Sequence, residues 1–489
     1  MPLLYHNARS FSIPVPLEKP RKKQAALARA KKTREPIGLL FILRIDIPSH
    51  FGYNECIIKR PWMGRRSDMI YDITKYGATA DGALCTEKIQ AAIDDAFLAG
   101  GGEVTVPEGC FLTGGLRLRS NVTLHLLKNA VLLGSTDPED YCTFLSDRIE
   151  PISEEERCAY APNVAAVPQS GTSAYPYSRW NNGLIRAINA ENIAIIGEEG
   201  SEINGQNCYD PQGEEKYRGP HAINMWFCKN IHLEGYTVRD SANWAHAIHN
   251  SEGVTARRLT VLGGHDGFDV RTCDNVLIED SRFFTGDDGL AGFDCHDVLV
   301  RNCYYESSCS VFRFGGTRVR IENCESRPSS VYAFRGSLSD EEKKNRVQAE
   351  IGKHRDLNKS IFLYYCDMRA AIRETPGDIL IKNCRFGRVQ KILHLPFGHI
   401  WTCNRSLDNI TFEDCAFEEI LEPIRTDSPE NEPLSVTVKD CTVTAREGAE
   451  GNAFAEGKNL RSITLKNVKA EGFDIRDIRY EPAPEIAIC

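Results

Sequence analysis

The feature that most constrains how this chain folds is a unit of about five residues, apolar at alternate positions and often introduced by Asn or Asp. It recurs at 121–126, 192–196, 230–234, 253–257, 275–279, 297–301, 318–322, 378–382, 409–413, 435–439 and 462–466, and the central copies lie 21 or 22 residues apart. Alternation with a period of two reads as a β-strand, and a single short strand per repeat finds no partner within its own unit. Its backbone groups and its apolar face are satisfied only by stacking on the next copy. The period therefore predicts an all-β solenoid, a parallel β-helix.

A second ladder has the same register. The unit is followed by a small or sulfur-bearing residue at one fixed position, Ser281, Cys303, Cys324, Cys384, Cys415, Cys441 and then Val468, and Cys366 is assigned to the same column. Cysteine packs as a small hydrophobe, so an inward-facing stack of free thiols is expected, with disulfides between rungs as the alternative. No two of the 18 cysteines are spaced Cys-x-x-Cys, which argues against a metal site. Ahead of the repeats, Thr86 is placed as the N-cap of a helix running through Ala99. Ile89, Ala92, Ile93, Ala96 and Phe97 form its apolar face, and Gly100-Gly101-Gly102 ends it. Such a helix suits a lid over the open first edge of a solenoid.

The net charge of −9 is unevenly spread: residues 1–68 hold 14 Lys/Arg against 5 Asp/Glu, so the body of the chain is strongly acidic. An acidic body argues against nucleic acid as a partner. Residues 1–68 have scattered prolines and no sustained period, and read as a basic extension or as an upstream artefact with Met69 the true start. Residues 69–489 form one domain. No cleavable secretory signal is apparent, and no apolar run is long enough to span a membrane, since 37–47 is short and interrupted by Arg44. With free thiols expected, the location read from the sequence is cytoplasmic. Residues 147–179 and 336–359 break the period and read as long loops, which in a solenoid gather on the binding face.

The chemistry is concentrated in residues 263–292, which contain Asp266, Asp269, Asp287 and Asp288, with Asp266 and Asp287 21 residues apart. Neighbouring strands lie roughly 4.7–4.9 Å apart, so stacking would bring these carboxylates to the separation that glycosidic chemistry requires. Hydrolysis of a glycosidic bond needs one carboxylic acid to protonate the leaving oxygen and one carboxylate to activate water. A cluster supplies both, because burial and repulsion raise one pKa while another stays low. The plainer alternative is that Gly-x-Asp-Gly and Gly-Asp-Asp-Gly are ordinary turns, but two of them one coil apart favour a site. Trp244, His246, His249 and His265 are candidates for sugar contact. His246 and His249 point to opposite faces of a strand and are not a metal pair. Arg313 and Arg335, one and two rungs beyond the aspartates, and Arg271 are candidates for gripping an acidic substrate.

Several stretches resemble the polygalacturonase family, glycoside hydrolase family 28. Tyr71 to Ala78 with Asp81-Gly82, Gly100 to Gly109, Leu112-Thr113-Gly114 and the repeat at 121–126 look like that family's start. Asp266-Gly267-Phe268-Asp269 resembles its Asn-Thr-Asp-Gly-Ile-Asp motif, and Gly286-Asp287-Asp288 its Gly-Asp-Asp motif. The resemblance spans roughly residues 69–475 and implies a right-handed parallel β-helix, pectin-lyase-like, with an inverting hydrolase activity and no cofactor. By carry-over Asp287 is the general acid, Asp266 and Asp288 position and deprotonate the water, and Asp269 supports the substrate side. The chain also departs from the family. Gly264-His265 replaces Asn-Thr, Ser308-Cys309-Ser310 stands where Gly-His-Gly is expected, so Cys309 takes the histidine's place beside the substrate, and Arg335-Gly336-Ser337 is the nearest counterpart of Arg-Ile-Lys. Three readings follow: an exo-acting inverting glycosidase on pectic or related oligosaccharides, a lyase or epimerase on the same scaffold using Ca²⁺ and an arginine base, and a non-catalytic carbohydrate-binding β-helix.

Overall fold

The structure is a computed structural model that describes residues 69–141, 178–328, 331–344, 358–368 and 370–489. The basic segment 1–68, nearly all of the anticipated loop 147–179 and the middle of the loop 336–359 lie outside the described residues.

Each repeat is a coil of three strands. A representative coil runs through Phe268–Arg271, Asp274–Glu279 and Arg282–Thr285 before the next begins at Leu290. Each strand pairs in parallel with its counterpart one coil on, so the chain winds as a right-handed parallel β-helix with three faces. The anticipated repeats form the second face. Ile195, Leu233, Ala256, Ile278, Val300, Ile321, Ile381, Phe412, Val438 and Leu465 stack in register as one buried column. Each of these side chains other than Ala256 contributes roughly 1.5–3 kcal/mol by leaving water.

The Asn or Asp that introduces the unit has a backbone reason. Asn121, Asn192, Asn230, Asn275 and Asp297 have φ between 54° and 61°, the left-handed region that short polar side chains tolerate best. Their amides also form a ladder, Asn192 Nδ2 donating to Asn121 Oδ1 and Asn230 Nδ2 to Asn192 Oδ1, both at 2.9 Å.

The thiol column is present and unpaired: Cys303, Cys324, Cys384, Cys415 and Cys441 are buried at the turn between the second and third faces. The Cys384 sulfur accepts from the Cys324 backbone N–H at 3.3 Å. Cys366 is not part of it. It follows the first-face strand Asn358–Tyr364 and bridges to Thr402. A second small-residue column, Cys228, Ser251, Cys273 and Cys295, lies at the turn between the first and second faces.

The capping helix is Thr86–Leu98, with Ile89, Ala92, Ile93 and Ala96 buried. Two details of the sequence reading change. Cys85 is the N-cap and makes no side-chain capping bond, its thiol turning to the Ala83 and Thr79 carbonyls, while the Thr86 hydroxyl, already inside the helix, accepts from the Gly114 N–H at 2.7 Å. Phe97 is 40 % exposed and lies under the Arg119 guanidinium, 5.6 Å away, outside the core face.

Candidate active site

The third face hands the chain to the next coil's first face through a tight turn. Successive turns, 241–245, 264–267, 286–289 and 308–309, lie side by side. They carry Trp244, His265, Asp266, Asp287, Asp288 and Cys309 into one place. The approach is close: a Cβ on Gly286 would meet the carbonyl oxygens of Ala333 at 2.3 Å and Gly264 at 2.5 Å.

Asp266, Asp287 and Asp288 are all buried. The Asp288 N–H donates to Asp266 Oδ1 at 3.2 Å, and the Ser310 N–H donates to Asp288 Oδ1 at 3.0 Å. Ser307 and Thr285 fix the Asp287 carbonyl with hydroxyl bonds of 2.7 and 2.9 Å. Asp266 Oδ2 has no hydrogen-bond partner among the described residues. On the first face one residue pair further in, Asp269 sits on the rung before Ala291, and Ala291 on the rung before Arg313. Asp269 receives two bonds from its neighbour Arg271, at 2.8 and 3.1 Å. Arg271 in turn lies 4.4 Å from the Trp244 ring.

The arginines divide the carboxylates electrically. Arg313 Nη1 lies 3.2 Å from Asp288 Oδ2, with its guanidinium on the Tyr365 ring at 3.9 Å. Arg335 Nε lies 2.8 Å from Asp287 Oδ2, and Arg218 Nη2 lies 3.9 Å from the same oxygen. Burial, then the charges of Asp287 and Asp288, push the Asp266 carboxyl well above the usual range. Asp288 is raised by burial and by Asp287. Burial acts upward on Asp287 too, but Arg335, Arg218 and Arg313 outweigh it and hold this carboxyl below its ordinary value. Cys309 is buried, and burial followed by Asp288 and Asp287 keeps its thiol protonated.

Asp287, Asp288 and Cys309 also form a group whose ligand atoms all fall within 4.8 Å of one another. The guanidinium groups of Arg335 and Arg313 already neutralise its two carboxylates, so this donor set does not fit a divalent cation.

Arg313 lies one coil beyond Asp288, as expected. Arg335 does not occupy a further rung: it is in the short turn Arg335–Ser337, on the insertion that follows Glu325–Pro328, and folds back over Asp287. Trp244 and His249 join an aromatic group before the aspartates, with Trp226 stacked on His249 at 4.2 Å and Trp244 5.2 Å from His221. His246 faces inward, onto Phe268 at 4.8 Å, and takes no part. His265 lies beside Tyr217 at 6.0 Å, and burial followed by Arg218 keeps it neutral. Several buried polar atoms here have no hydrogen-bond partner among the described residues, including Trp180 Nε1, Asn224 Oδ1, Trp226 Nε1 and His249 Nε2.

The sequence reading missed Arg218, Glu214 and Asn243. The strand Tyr209–Glu214 lies outside the main sheet and bridges antiparallel to Arg218. Arg218 donates to Asn243 Oδ1 at 3.1 Å and meets Glu214 at 3.3 Å, and burial, against the pull of Arg218, raises Glu214 to about 7. The available signal was the charged run 214–218, placed where the repeat period lapses.

Fold and site together define a right-handed parallel β-helix that carries a buried aspartate cluster on the turns entering its first face. Residues 162–308 match the profile of Glycosyl hydrolases family 28. The chain is 27% identical over 233 residues to a probable polygalacturonase of Vitis vinifera and 26% identical over 254 residues to an exo-poly-alpha-D-galacturonosidase of Dickeya chrysanthemi. Each match covers 45% of this chain, and the chain spans only 43% and 41% of those relatives. Among solved structures, an exopolygalacturonase from Thermotoga maritima superposes with a TM-score of 0.59 at 19% identity, covering 83% of this chain and 93% of its own. One from Yersinia enterocolitica gives 0.60 at 17% identity, covering 86% and 78%. These similarities lie with glycosyl hydrolases family 28 over the central part of the chain.

Proposed function

We propose that the protein hydrolyses a glycosidic bond in a pectic or related acidic oligosaccharide, with inversion at the anomeric carbon and from a chain end. The observation that carries this reading is the buried group of Asp266, Asp287 and Asp288, drawn from two consecutive turns and held at unequal proton affinities. Such a split is what acid–base hydrolysis by paired carboxylates uses. In this reading Asp287 protonates the leaving oxygen, while Asp266 and Asp288 hold the attacking water and accept its proton.

Arg313 and Arg335 favour an acidic sugar, since guanidinium groups match a carboxylate in two-point geometry. The unpartnered polar atoms of Trp180, Asn224, Trp226 and His249, beside aromatic faces, suit the hydroxyls and ring of the sugar one subsite away. Exo action has support from the Dickeya chrysanthemi relative. A cytoplasmic location is part of the proposal, in keeping with unpaired thiols on both columns.

The test is turnover on acidic oligosaccharides by native protein and by Asp287→Asn. Loss of reducing-end release by about 10²–10⁴-fold in the variant, with sugar binding retained, is expected of a general acid. Equal turnover by the two proteins refutes the assignment.

A further inference from the structure

The empty site poses a chemical problem. A general acid must carry a proton, yet Asp287 sits in contact with Arg335 and near Arg218, while the proton-retaining surroundings belong to Asp266. The two arginines are not held alike. Arg218 is buried, and its two terminal nitrogens are held by Asn243 at 3.1 Å, Glu214 at 3.3 Å and Glu215 at 3.5 Å. Arg335 is 31% exposed and stands on a surface insertion. Its Nε, 2.8 Å from Asp287 Oδ2, makes no in-line hydrogen bond; its other ion pair is with Glu215 at 3.6 Å, and its guanidinium lies 5.7 Å from the Phe334 ring. Arg335 is the cation that a competing anion can take.

We propose that Arg335 is exchanged: in the empty cleft it holds Asp287 as an anion, and the carboxylate of a bound acidic sugar draws the guanidinium away, leaving Asp287 to carry the catalytic proton. This rests on the hydrolase reading above. No proton need come from outside the cluster. With Arg335 gone, the proton held at Asp266 moves to Asp287, and Asp266, relieved of an anionic neighbour, becomes the carboxylate that accepts the proton of the attacking water. The proton on Asp287 then goes to the leaving oxygen as the glycosidic C–O bond breaks. A neutral sugar binds without making the exchange and meets an enzyme whose acid is unprotonated. Arg335 is thus a specificity-determining and positioning residue. The other groups facing Asp287 are Arg218 from the segment before the repeat resumes, Arg313 from the next coil, Asp266 and His265 from the preceding turn, and its neighbours Asp288 and Cys309. All of them are present in both states.

The experiment is a ¹³C-carboxyl titration of aspartate-labelled full-length protein, native, Arg335→Gln and Arg335→Lys, each alone, with D-galacturonate and with D-galactose. Galacturonate is expected to move the Asp287 midpoint up and that of Asp266 down, whereas galactose moves neither. Arg335→Gln should show the raised Asp287 midpoint with no sugar, and Arg335→Lys should restore the native one. In turnover, Arg335→Gln should raise kcat on a carboxyl-reduced oligosaccharide about tenfold or more near neutral pH, the effect of removing an adjacent opposite charge, and should raise KM for the acidic substrate. If galacturonate binds and Asp287 does not move, the exchange is refuted and the acid is Asp266. If Arg335→Gln leaves Asp287 unmoved in the free protein, the ion pair does not govern it and the inference also falls. If neither sugar binds, the hydrolase reading fails instead, and the free-protein comparison still decides the ion pair.

Discussion

Gly286 precedes the Asp287-Asp288 pair and leaves no room for a side chain. Replacing it with alanine tests whether the side-by-side turns place the carboxylates. The added Cβ would lie 2.3 Å from the Ala333 carbonyl oxygen, 2.5 Å from the Gly264 carbonyl oxygen and 3.0 Å from the Gly264 carbonyl carbon. Reaching ordinary contact requires a retreat of about 1 Å, and neither neighbour is a flexible side chain end. One is the backbone of the turn that carries His265 and Asp266, and the other is the backbone leading to Arg335. Overpacking of this kind costs about 1–3 kcal/mol of stability. A misplacement of about 1 Å at the reacting centre costs about 10²-fold in rate. Gly263→Ala is the matched control, because a Cβ there meets nothing nearer than the Ser241 nitrogen at 3.8 Å. Reducing-end assays and thermal melts on the two variants supply the comparison. Gly286→Ala should lose most of kcat while its melt shifts modestly, and Gly263→Ala should match the native protein in both. Equal activity in the two variants would refute the claim that turn spacing sets the geometry of the aspartates.

Other outcomes follow from the same structure. Asp266 has a folded pKa raised by burial, so the native state binds more protons than the unfolded chain, and this group's contribution to stability declines as pH rises past the unfolded carboxylate value of about 3.9. Asp266→Asn should therefore raise the melting temperature near pH 7, with the gain fading below about pH 4, and should lower turnover by about 10²-fold or more; a variant no more stable than native at neutral pH contradicts the assigned burial cost. Trp244→Ala removes a buried ring and its 4.4 Å contact with Arg271, and should lower the unfolding free energy by about 3–5 kcal/mol in denaturant titration. Cys303, Cys324, Cys384, Cys415 and Cys441 should react with a thiol reagent only after denaturation, whereas exposed Cys110 and Cys489 react at once, as peptide mapping would show.

Much of the fold was legible because the solenoid writes its geometry directly into sequence spacing. One coil is 21 or 22 residues here, so a side-chain period of two within each unit and a fixed interval between units specify both register and face. The thiol column from Cys303 to Cys441 follows the same interval. Cys366 was misassigned because the segment from Tyr365 to Thr375 departs from the coil length, and composition alone does not reveal the column to which a cysteine belongs. The N-cap at Cys85 was hidden for a different reason: a tertiary contact with Gly114 claims the hydroxyl that local preference assigns to capping.

The site divides in the same way. Asp266, Asp287 and Asp288 were readable because they sit one repeat apart in turns of matching shape. Arg218 and Glu214 were not, since they reach the aspartates through a segment that leaves the repeat and pairs with itself. The position of Arg335 was misread for a similar cause: an insertion carries it back over an earlier turn, where counting rungs places it further on. The unequal proton affinities of the aspartates, with Asp287 lowered by those arginines and Asp266 raised by burial and its acidic neighbours, were not visible in the motif.

The measurement that tests the hydrolase reading most directly is proton NMR of the products released from an acidic oligosaccharide, followed from the first turnover. The expected result is a new reducing end that appears with inverted anomeric configuration before mutarotation, is insensitive to chelator and is lost in Asp287→Asn. An unsaturated product lost with chelator, a product of retained configuration, or equal turnover by Asp287→Asn would contradict it.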